Sequence, residues 1–189
     1  MIDIGTGDGS FVYDCARKNP ANFYIGIDPN IRPLAKISGK IYRNPSKGGA
    51  PNALFLRATV EQLPSELSGL AGEIYVLFPW GSLLRAVACG DVVVLKGLRR
   101  ICTPGALLQI LVGLDVEKDR SEIRRLRLPE LSREYVETTL LPRYREAGFD
   151  LLRKDSSPLT DLAQIPSTWA KRLRHSAGRF FFHLIVKAA

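Results

Sequence analysis

The sequence predicts an α/β domain built on a mostly parallel sheet with helices on both faces. Short apolar segments that are rich in β-branched and aromatic residues alternate along the chain with longer helical patterns. Strand, helix and strand recur at a spacing that suits crossover connections between parallel strands. The glycine-rich stretch GTGDG at 5–9 directly follows the first apolar segment, where such folds turn from a strand into a helix.

The individual elements follow from the same patterns. The first strand is MIDI at the start of the chain, and the other parallel strands are expected at 23–28, 53–58, 73–78 and 106–113. Helices are expected between them at 10–19, 31–42, 82–88 and 91–101, and CTPGA at 102–106 predicts a helix end followed by a strand start. Beyond them, the patterns predict a charge-mixed linker at 114–131, a helix at 132–147, and a closing pair of strands in FDLLRKDS and RFFFHLIV.

Length and composition limit the class of protein. A chain of 189 residues with 46% hydrophobic residues fits a single globular domain, 1–189, with a sizeable core. Its apolar runs are far too short to span a bilayer, and the N-terminus, with Asp3 and Asp8, lacks the apolar segment of a signal peptide. Three cysteines without a C-x-x-C pair predict reduced thiols in a cytoplasmic protein. His175 and His183 have no acidic or cysteine partner nearby in sequence, so no metal site is expected.

The positive charge is concentrated in two segments. The net charge is +8, yet no acidic residue lies between Asp28 and Glu61 or after Asp161. The first segment contains the bases Arg32, Lys36, Lys40, Arg43, Lys47 and Arg57, and the second contains Lys171, Arg172, Arg174, Arg179 and Lys187. Acid-free basic segments predict a polyanionic partner such as RNA, although a solvated basic face would give the same pattern.

The glycine loop and two acids predict a cofactor site. GTGDG departs from the dinucleotide pattern G-x-G-x-x-G, because the third glycine position falls on Ser10. Asp3 lies in the strand before the loop and suits a cationic ligand group better than a pyrophosphate. Asp28 ends the second strand, where a carboxylate can accept both hydroxyls of a ribose. These features favour S-adenosylmethionine (SAM), which carries an ammonium, a sulfonium and a free ribose; the alternative is a tight turn without a ligand.

Six motifs carry a family resemblance. IDIGTGDG, YIGIDP, PSKGG, EQLP, LFPWGSLLR and STWAKRL occur in this order. The set resembles the aminoglycoside-resistance 16S rRNA (adenine-N1) methyltransferases of the kanamycin–apramycin-resistance group over essentially the whole chain. FPWGSLL and STWAKRL are its specific part, since many methyltransferases share the first motif. The resemblance implies a Rossmann-like, seven-stranded class I SAM-dependent methyltransferase, and the chain is expected to act as a monomer. It also implies a decoding-centre adenine in the assembled small ribosomal subunit as acceptor.

The resemblance also implies roles for particular positions. It places the cofactor against Asp3, Gly5, Thr6, Gly7, Asp28, Pro29, Thr59, Val60, Glu61, Leu77 and Ser82. It makes Trp80 and Trp169 a clamp for the target base, with Ser167 and Arg179 nearby. It assigns rRNA contacts to Lys40, Arg43, Lys47, Arg172 and Arg179, whereas Gly39 and Asn44 stand where a relative has lysine. The segments 114–131 and 157–179 are expected to form the substrate side.

The chemistry of such a reaction suits a pair of tryptophans. Adenine N1 has a lone pair and no proton to lose, so the transfer needs positioning rather than a general base. The base must leave its stack, and an aromatic face returns about 1–3 kcal/mol for each stacked base. The methylated adenine is cationic, which indole faces favour. Trp80 and Trp169 are the only tryptophans in the chain.

Two alternatives remain open at this point. A tRNA methyltransferase can open with a similar DIGTGDGSF sequence, although the tryptophan pair disfavours a guanine-N7 enzyme. A catalytically silent RNA- or ribosome-binding protein could keep the same fold, and cofactor binding would discriminate against it. Members of the resembled group carry an N-terminal hairpin before the first strand. This sequence begins at that strand, so the fold is expected without the hairpin.

Overall fold

The computed structural model describes residues 1–156 and 179–189. Its strands are β1 (Ile2–Ile4), β2 (Tyr24–Ile27), β3 (Ala53–Leu56), β4 (Ala71–Leu77), β5 (Cys102–Leu114), β6 (Phe149–Ser156) and β7 (Phe180–Ala188). Its α-helices are α1 (Ser10–Lys18), α2 (Ala35–Ile41), α3 (Gly81–Cys89), α4 (Val92–Ile101), α5 (Arg120–Leu126), α6 (Arg133–Tyr135) and α7 (Leu141–Glu146). A π-helical segment, Val136–Leu140, joins α6 to α7, and short 3-10 helices lie at Pro45–Lys47, Val60–Gln62 and Ser65–Leu67.

The strands form one sheet in the order β3-β2-β1-β4-β5-β7-β6. The pairs β1–β2, β2–β3, β1–β4 and β4–β5 are parallel, and β7 runs antiparallel to both β5 and β6. The predicted Rossmann-like, mostly parallel seven-stranded sheet is therefore confirmed. Strand order reverses between β1 and β4, and in such sheets ligands bind outside the carboxyl ends of the strands at this point.

Alternating side chains of the strands build cores on both faces of the sheet. Along β4, Ile74 and Val76 join the larger core with buried residues of α3, α4 and α7, whereas Leu77 packs on the opposite face near Phe11 of α1. This period of two is the expected geometry of a strand that is buried on both faces. The sheet is thus covered on both sides, and its strand ends remain available for a site.

Local sequence explains where the helices lie. In α4, the buried residues Val94, Leu95, Leu98 and Ile101 fall on one helical face. The side chain of Asp91 caps this helix by accepting hydrogen bonds from the backbone N–H groups of Val93 and Val94, at 3.0 and 3.2 Å. Neighbouring α3 ends at Gly90 in the left-handed conformation, which is a usual helix stop.

The structure corrects one predicted segment. The sequence predicts a linker at 114–131, but this stretch contains α5. Its charges are paired locally: Arg125 makes an ion pair with Glu122, and Lys118 makes one with Asp115. Alternating charges suggested a solvated linker because the apolar positions are few, yet Leu126 is buried.

The other predicted elements are found with small shifts of their ends. The predicted helix at 132–147 corresponds to α6, the π-helical segment and α7, and the closing strand pair corresponds to β6 and β7. β5 already begins at Cys102, before the position that CTPGA suggested. Within the part of the chain that the structure describes, no helix is long and apolar enough to cross a membrane.

Candidate cofactor and substrate site

A cavity of about 700 Å³ lies at the carboxyl ends of β1, β2 and β4. Most of the predicted cofactor residues line it: Gly5, Gly7, Asp28, Pro29, Thr59, Val60, Glu61 and Ser82. Trp80 and Arg179, which the sequence assigns to the substrate, line the same cavity. The fold therefore brings the predicted cofactor and substrate residues together, whereas their individual roles in binding stay predictions.

The glycine loop at 5–9 owes its shape to backbone that has no side chain. Gly5, Gly7 and Gly9 have φ angles of +76°, +60° and +73°, which favour glycine. A Cβ atom would lie 2.7 Å from a side-chain carbon of Leu83 at Gly5, and 2.6 Å from one of Phe55 at Gly9. A Cβ atom at Gly7 would meet nothing within 4 Å, so that position needs glycine for its conformation alone.

Asp28 fixes this loop and retains acceptor capacity for a ligand. One oxygen of its carboxylate accepts a hydrogen bond from the N–H of Gly7 at 2.9 Å, and the other accepts one from the N–H of Asn30 at 2.8 Å. The carbonyl of Ile27 accepts further hydrogen bonds from the first two residues of the loop. An ionised carboxylate has about four lone-pair sites, so each oxygen of Asp28 can accept another hydrogen bond from a ribose hydroxyl.

Asp3 and Thr6 do not line the cavity but flank Gly5 at the base of its loop. Both are buried, and the Oδ1 atom of Asp3 and the Oγ atom of Thr6 have no hydrogen-bond partner among the described residues. Burial raises the pKa of Asp3 to about 7, although the nearby hydroxyl of Thr6 acts in the opposite direction. A buried acceptor without a donor is unfavourable, and a cationic ligand group would relieve it. These two side chains therefore fit the cationic end of the predicted cofactor.

Leu77, which the resemblance implies at the cofactor site, is not among the residues that line the cavity. Its side chain is buried in the apolar cluster that contains Phe11, Leu111 and Phe181, and its role at the cofactor stays a prediction. The next residue, Phe78, lines the cavity instead. Phe78 follows the last residue of β4 and has a left-handed backbone, so the turn after the strand brings its ring to the cavity.

Trp80 stands on a tight turn between β4 and α3. Phe78 has a φ angle of +50° and donates a backbone hydrogen bond of 2.7 Å to Leu111, while its ring packs edge-on against Phe181. Trp80 occupies the N-cap position of α3, and 54% of it is exposed. A large aromatic face at the mouth of a cavity suits the stacking of a flat base.

Arg179 lines the other side of the cavity and makes a partly buried ion pair there. Its Nη1 atom donates to Asp119 and to the backbone carbonyl of Gly113, both at 2.9 Å. Asp119 also accepts a hydrogen bond from the N–H of Asp115, which ties the start of α5 to the ion pair. The guanidinium is thereby held at the cavity wall.

Comparison with known proteins decides the family. The model of the family described as "NpmA: 16S rRNA (adenine(1408)-N(1))-methyltransferase" matches residues 1–188. The chain belongs to this family. A 16S rRNA (adenine(1408)-N(1))-methyltransferase of Streptoalloteichus tenebrarius is 39% identical over 181 residues, which cover 95% of this chain and 82% of that protein.

Two solved structures of similar proteins agree with this assignment. The aminoglycoside resistance methyltransferase NpmB1 is 44% identical, with a TM-score of 0.84 over 100% of this chain and 86% of that one. A tryptophan-to-alanine variant of the 16S rRNA (adenine(1408)-N(1))-methyltransferase from Catenulisporales acidiphilia, solved with the cosubstrate SAM, is 38% identical. Its TM-score is 0.88, and the match covers 100% of this chain and 84% of that one.

The remaining predicted residues divide into two groups. Ser167, Trp169 and Arg172 lie outside the described residues, so their roles in this family member stay predictions. Lys40, Arg43 and Lys47 lie at the end of α2 and in the turn that follows it. Arg43 and Lys47 are exposed, whereas Lys40 is half-buried with its ammonium 4.1 Å from the centre of the Tyr13 ring.

The sequence did not indicate the residues that support the walls of the site. Asp119 lies in the predicted linker at 114–131, yet it pairs with Arg179 at the cavity. Glu122 is buried and binds Arg125 through two hydrogen bonds of 2.7 Å. These contacts, with a contribution from the N–H of Gly81, hold the pKa of Glu122 below its usual value. Its closeness to Gly81 links α5 to the Trp80 turn, and only a helix prediction for 114–131 could have suggested that.

Proposed function

We propose that this chain transfers a methyl group from SAM to N1 of a decoding-centre adenine in 16S rRNA of the small ribosomal subunit, and thereby gives aminoglycoside resistance. The observation that carries the proposal is the cavity that joins Asp28 and the glycine loop to the exposed face of Trp80, in a chain that belongs to this family. The same family match favours rRNA over tRNA as the substrate.

The residues present fit SAM. Asp28 would accept the ribose hydroxyls, and Asp3 would balance the ammonium of the methionine part. Thr59, Val60 and Glu61 line the cavity where the resemblance places the adenine of the cofactor. When bound, SAM supplies a methyl group on a sulfonium, which is an electrophile.

On the substrate side, the chain has only to hold an adenine in line with that methyl group. N1 attacks with its own lone pair, so no side chain has to remove a proton, and alignment provides the catalysis. Trp80 would stack on the flipped base and would favour the cationic product. Trp169 is the proposed second face of the clamp, and Arg179 would stand beside it at the cavity wall.

The proposal also includes the substrate particle, the oligomeric state and the cellular compartment. The substrate is the assembled small subunit, with Arg43 and Lys47 among the proposed rRNA contacts, and the chain acts as a monomer without a metal ion. Because ribosomal subunits lie in the cytoplasm, this activity places the chain there.

Primer extension on small ribosomal subunits tests the function. A methyl group on N1 blocks base pairing, so reverse transcriptase should stop at one decoding-centre adenine after incubation of subunits with the chain and SAM. Incubation without SAM is the control. A stop in tRNA but not in subunits would favour the tRNA methyltransferase, and cofactor binding without any stop would favour a silent binding protein.

The ribose contact gives a direct test of the cofactor site. Asp28→Ala should weaken SAM binding by about 1–3 kcal/mol, because the ribose hydroxyls lose a charged acceptor and the glycine loop loses its hydrogen bond. Isothermal titration calorimetry measures the difference. Asp8→Ala is the matched control, since Asp8 is an exposed acid of the same loop and does not line the cavity. Equal affinities of wild type and Asp28→Ala would contradict this placement.

Binding to the small subunit is expected to depend strongly on salt. If the basic segments neutralise about four phosphates, the logarithm of the binding constant should fall with the logarithm of salt concentration at a slope of about −3 to −4. Lys47→Ala should make the slope less steep by about one unit. Filter binding at several salt concentrations measures both values. A flat response would mean that these bases form only a solvated face.

A further inference from the structure

The turn that carries two of the proposed rRNA contacts is held by residues of another helix. We call residues 43–49 the basic loop; it follows α2 and contains the exposed side chains of Arg43 and Lys47. Long basic side chains on a mobile loop would lose much conformational freedom when they bind phosphates. In the structure, side chains of α1 already hold the backbone of the basic loop through hydrogen bonds.

Arg17, in the last turn of α1, closes the basic loop across its two ends. Its Nη1 atom donates a hydrogen bond of 2.8 Å to the carbonyl of Pro45 and one of 2.9 Å to the carbonyl of Gly49. Hydrogen bonds from a charged donor are stronger than those between neutral groups. A single guanidinium nitrogen therefore links the beginning and the end of the turn.

Tyr13 adds a third contact from the same face of α1. It precedes Arg17 by four residues, so both side chains lie on one side of the helix. Its hydroxyl donates a hydrogen bond of 2.7 Å to the carbonyl of Gly48. Its buried ring also lies against the ammonium of Lys40, which comes from the helix before the loop. Two residues of α1 thus contact both α2 and the loop that follows it.

The sequence of the loop fits this closed shape. The side chain of Asn44 accepts hydrogen bonds from the N–H and the hydroxyl of Ser46, at 2.9 and 2.8 Å. A Cβ atom at Gly49 would lie 1.7 Å from the carbonyl oxygen of Arg43, so only glycine fits there. Gly48 has a φ angle of +86°. The basic loop is therefore a tight turn. The backbone carbonyls of Pro45, Gly48 and Gly49 accept their hydrogen bonds from side chains of α1.

We propose that Arg17 and Tyr13 are positioning residues that hold the basic loop in the conformation in which Arg43 and Lys47 meet the phosphates of 16S rRNA. This inference rests on the proposed function, because it takes the small subunit as the partner. Arg17 acts through the loop and touches no phosphate itself. The same helix begins at the glycine loop of the cofactor site, so α1 supports both binding surfaces.

Steady-state kinetics with small subunits test this role. Arg17→Met should raise the KM for small subunits about three- to tenfold, because the two basic side chains must then be ordered during binding. The kcat at saturating subunit and the affinity for SAM should stay close to the wild-type values. Lys18→Met is the matched control, since it removes the same charge from the neighbouring exposed position and should leave KM nearly unchanged. Arg17→Lys should recover part of the loss.

Two further readouts separate positioning from direct phosphate binding. The salt slope of binding should be unchanged in Arg17→Met, whereas a direct phosphate contact would lower it by about one unit. The effect of Arg17→Met should also shrink in a Lys47→Ala background, because a residue that acts through the loop matters less once the loop has lost its contact. Additive effects, or a reduced slope, would overturn the inference.

Limited proteolysis examines the loop without any substrate. Trypsin should cleave after Arg43 and Lys47 faster in Arg17→Met than in Lys18→Met, and Tyr13→Phe should show a smaller increase. If the wild type fails to methylate small subunits, the proposed function fails, and cleavage still decides whether α1 orders the loop. If the wild type is active while the KM and the cleavage rates of Arg17→Met match the control, the positioning role is wrong.

Discussion

Replacement of Trp80 by alanine is expected to lower methylation of small ribosomal subunits by about tenfold or more, with SAM binding nearly unchanged. The residue lines the cavity with 54% of its surface exposed, so its removal disturbs little of the core. Stacking on an aromatic face is worth about 1–3 kcal/mol for each base, and this energy is lost when the flipped adenine has to be held. Asp28 and the glycine loop keep their contacts to the ribose and the methionine part.

Substitutions at the same position distinguish stacking from simple burial. Trp80→Phe should recover part of the rate because it keeps a flat π-face, whereas Trp80→Leu should recover little. Phe23→Ala is a matched control, since Phe23 is a comparably exposed aromatic before the opposite end of β2. Methylation is measured by transfer of labelled methyl groups to subunits, and SAM affinity by calorimetry. Unchanged transfer in Trp80→Ala would exclude the base clamp.

The same alanine substitution at Trp169 is expected to act in the same way. The resemblance makes Trp169 the second face of the clamp, so Trp169→Ala should also reduce transfer without a large effect on SAM binding. The double variant should lose less than the product of the two single losses, because both rings hold one base. Independent, multiplicative losses would argue that the two residues do not share a base.

The sheet could be predicted because its strands carry strong local signals. The segments around Ile25, Phe55 and Tyr75 are short, apolar and separated by helical patterns, and all three fall in parallel strands. α5 could not be predicted in the same way. Its two buried residues do not form an apolar stripe, because one is Leu126 and the other is Glu122, whose charge is paired with Arg125. The sequence shows that a residue is charged. It does not show which partner allows that charge to be buried on the face of a helix.

The site shows the same division between local and spatial information. Asp28 and the glycine loop could be placed from sequence, because a strand end and a helix start fix where they lie. Phe78 lines the cavity although only its neighbour Leu77 is predicted at the site, because the turn after β4 is not visible in the sequence pattern. Arg17 gave no signal at all, since its partners are backbone carbonyls, which every residue type provides.

The affinity for SAM is expected to rise with pH up to about 7 and to fall again above about 8, where the ammonium of SAM, an α-amino group, loses its proton. Burial raises the pKa of Asp3 to about 7, so its carboxyl group is largely neutral in more acidic solution. A neutral carboxyl group cannot balance the ammonium of the cofactor, and binding must then displace a proton. The affinity should therefore fall up to about tenfold for each pH unit below 7.

The stability of the cofactor-free chain should change in the opposite direction. The pKa of Asp3 is higher in the folded state than its ordinary value of 3.8, so the folded state binds more protons. The contribution of Asp3 to stability is fully present below the unfolded pKa and is lost as pH rises from about 4 through about 7. Thermal unfolding of the wild type and of Asp3→Asn over this range measures the contribution, which the variant should lack.

Calorimetry in two buffers with different ionisation enthalpies completes the test of Asp3. Below pH 7, SAM binding to the wild type should release close to one proton, because the carboxyl group ionises when it meets the ammonium. Asp3→Asn should bind more weakly at pH 7 and should release no proton at any pH from this group. If the wild type bound SAM with the same affinity at pH 5.5 and pH 7, where the ammonium of SAM keeps its proton, Asp3 would not pair with the cofactor. The cationic end of SAM would then have to lie away from the unpaired oxygen of Asp3 that is buried at the base of the glycine loop.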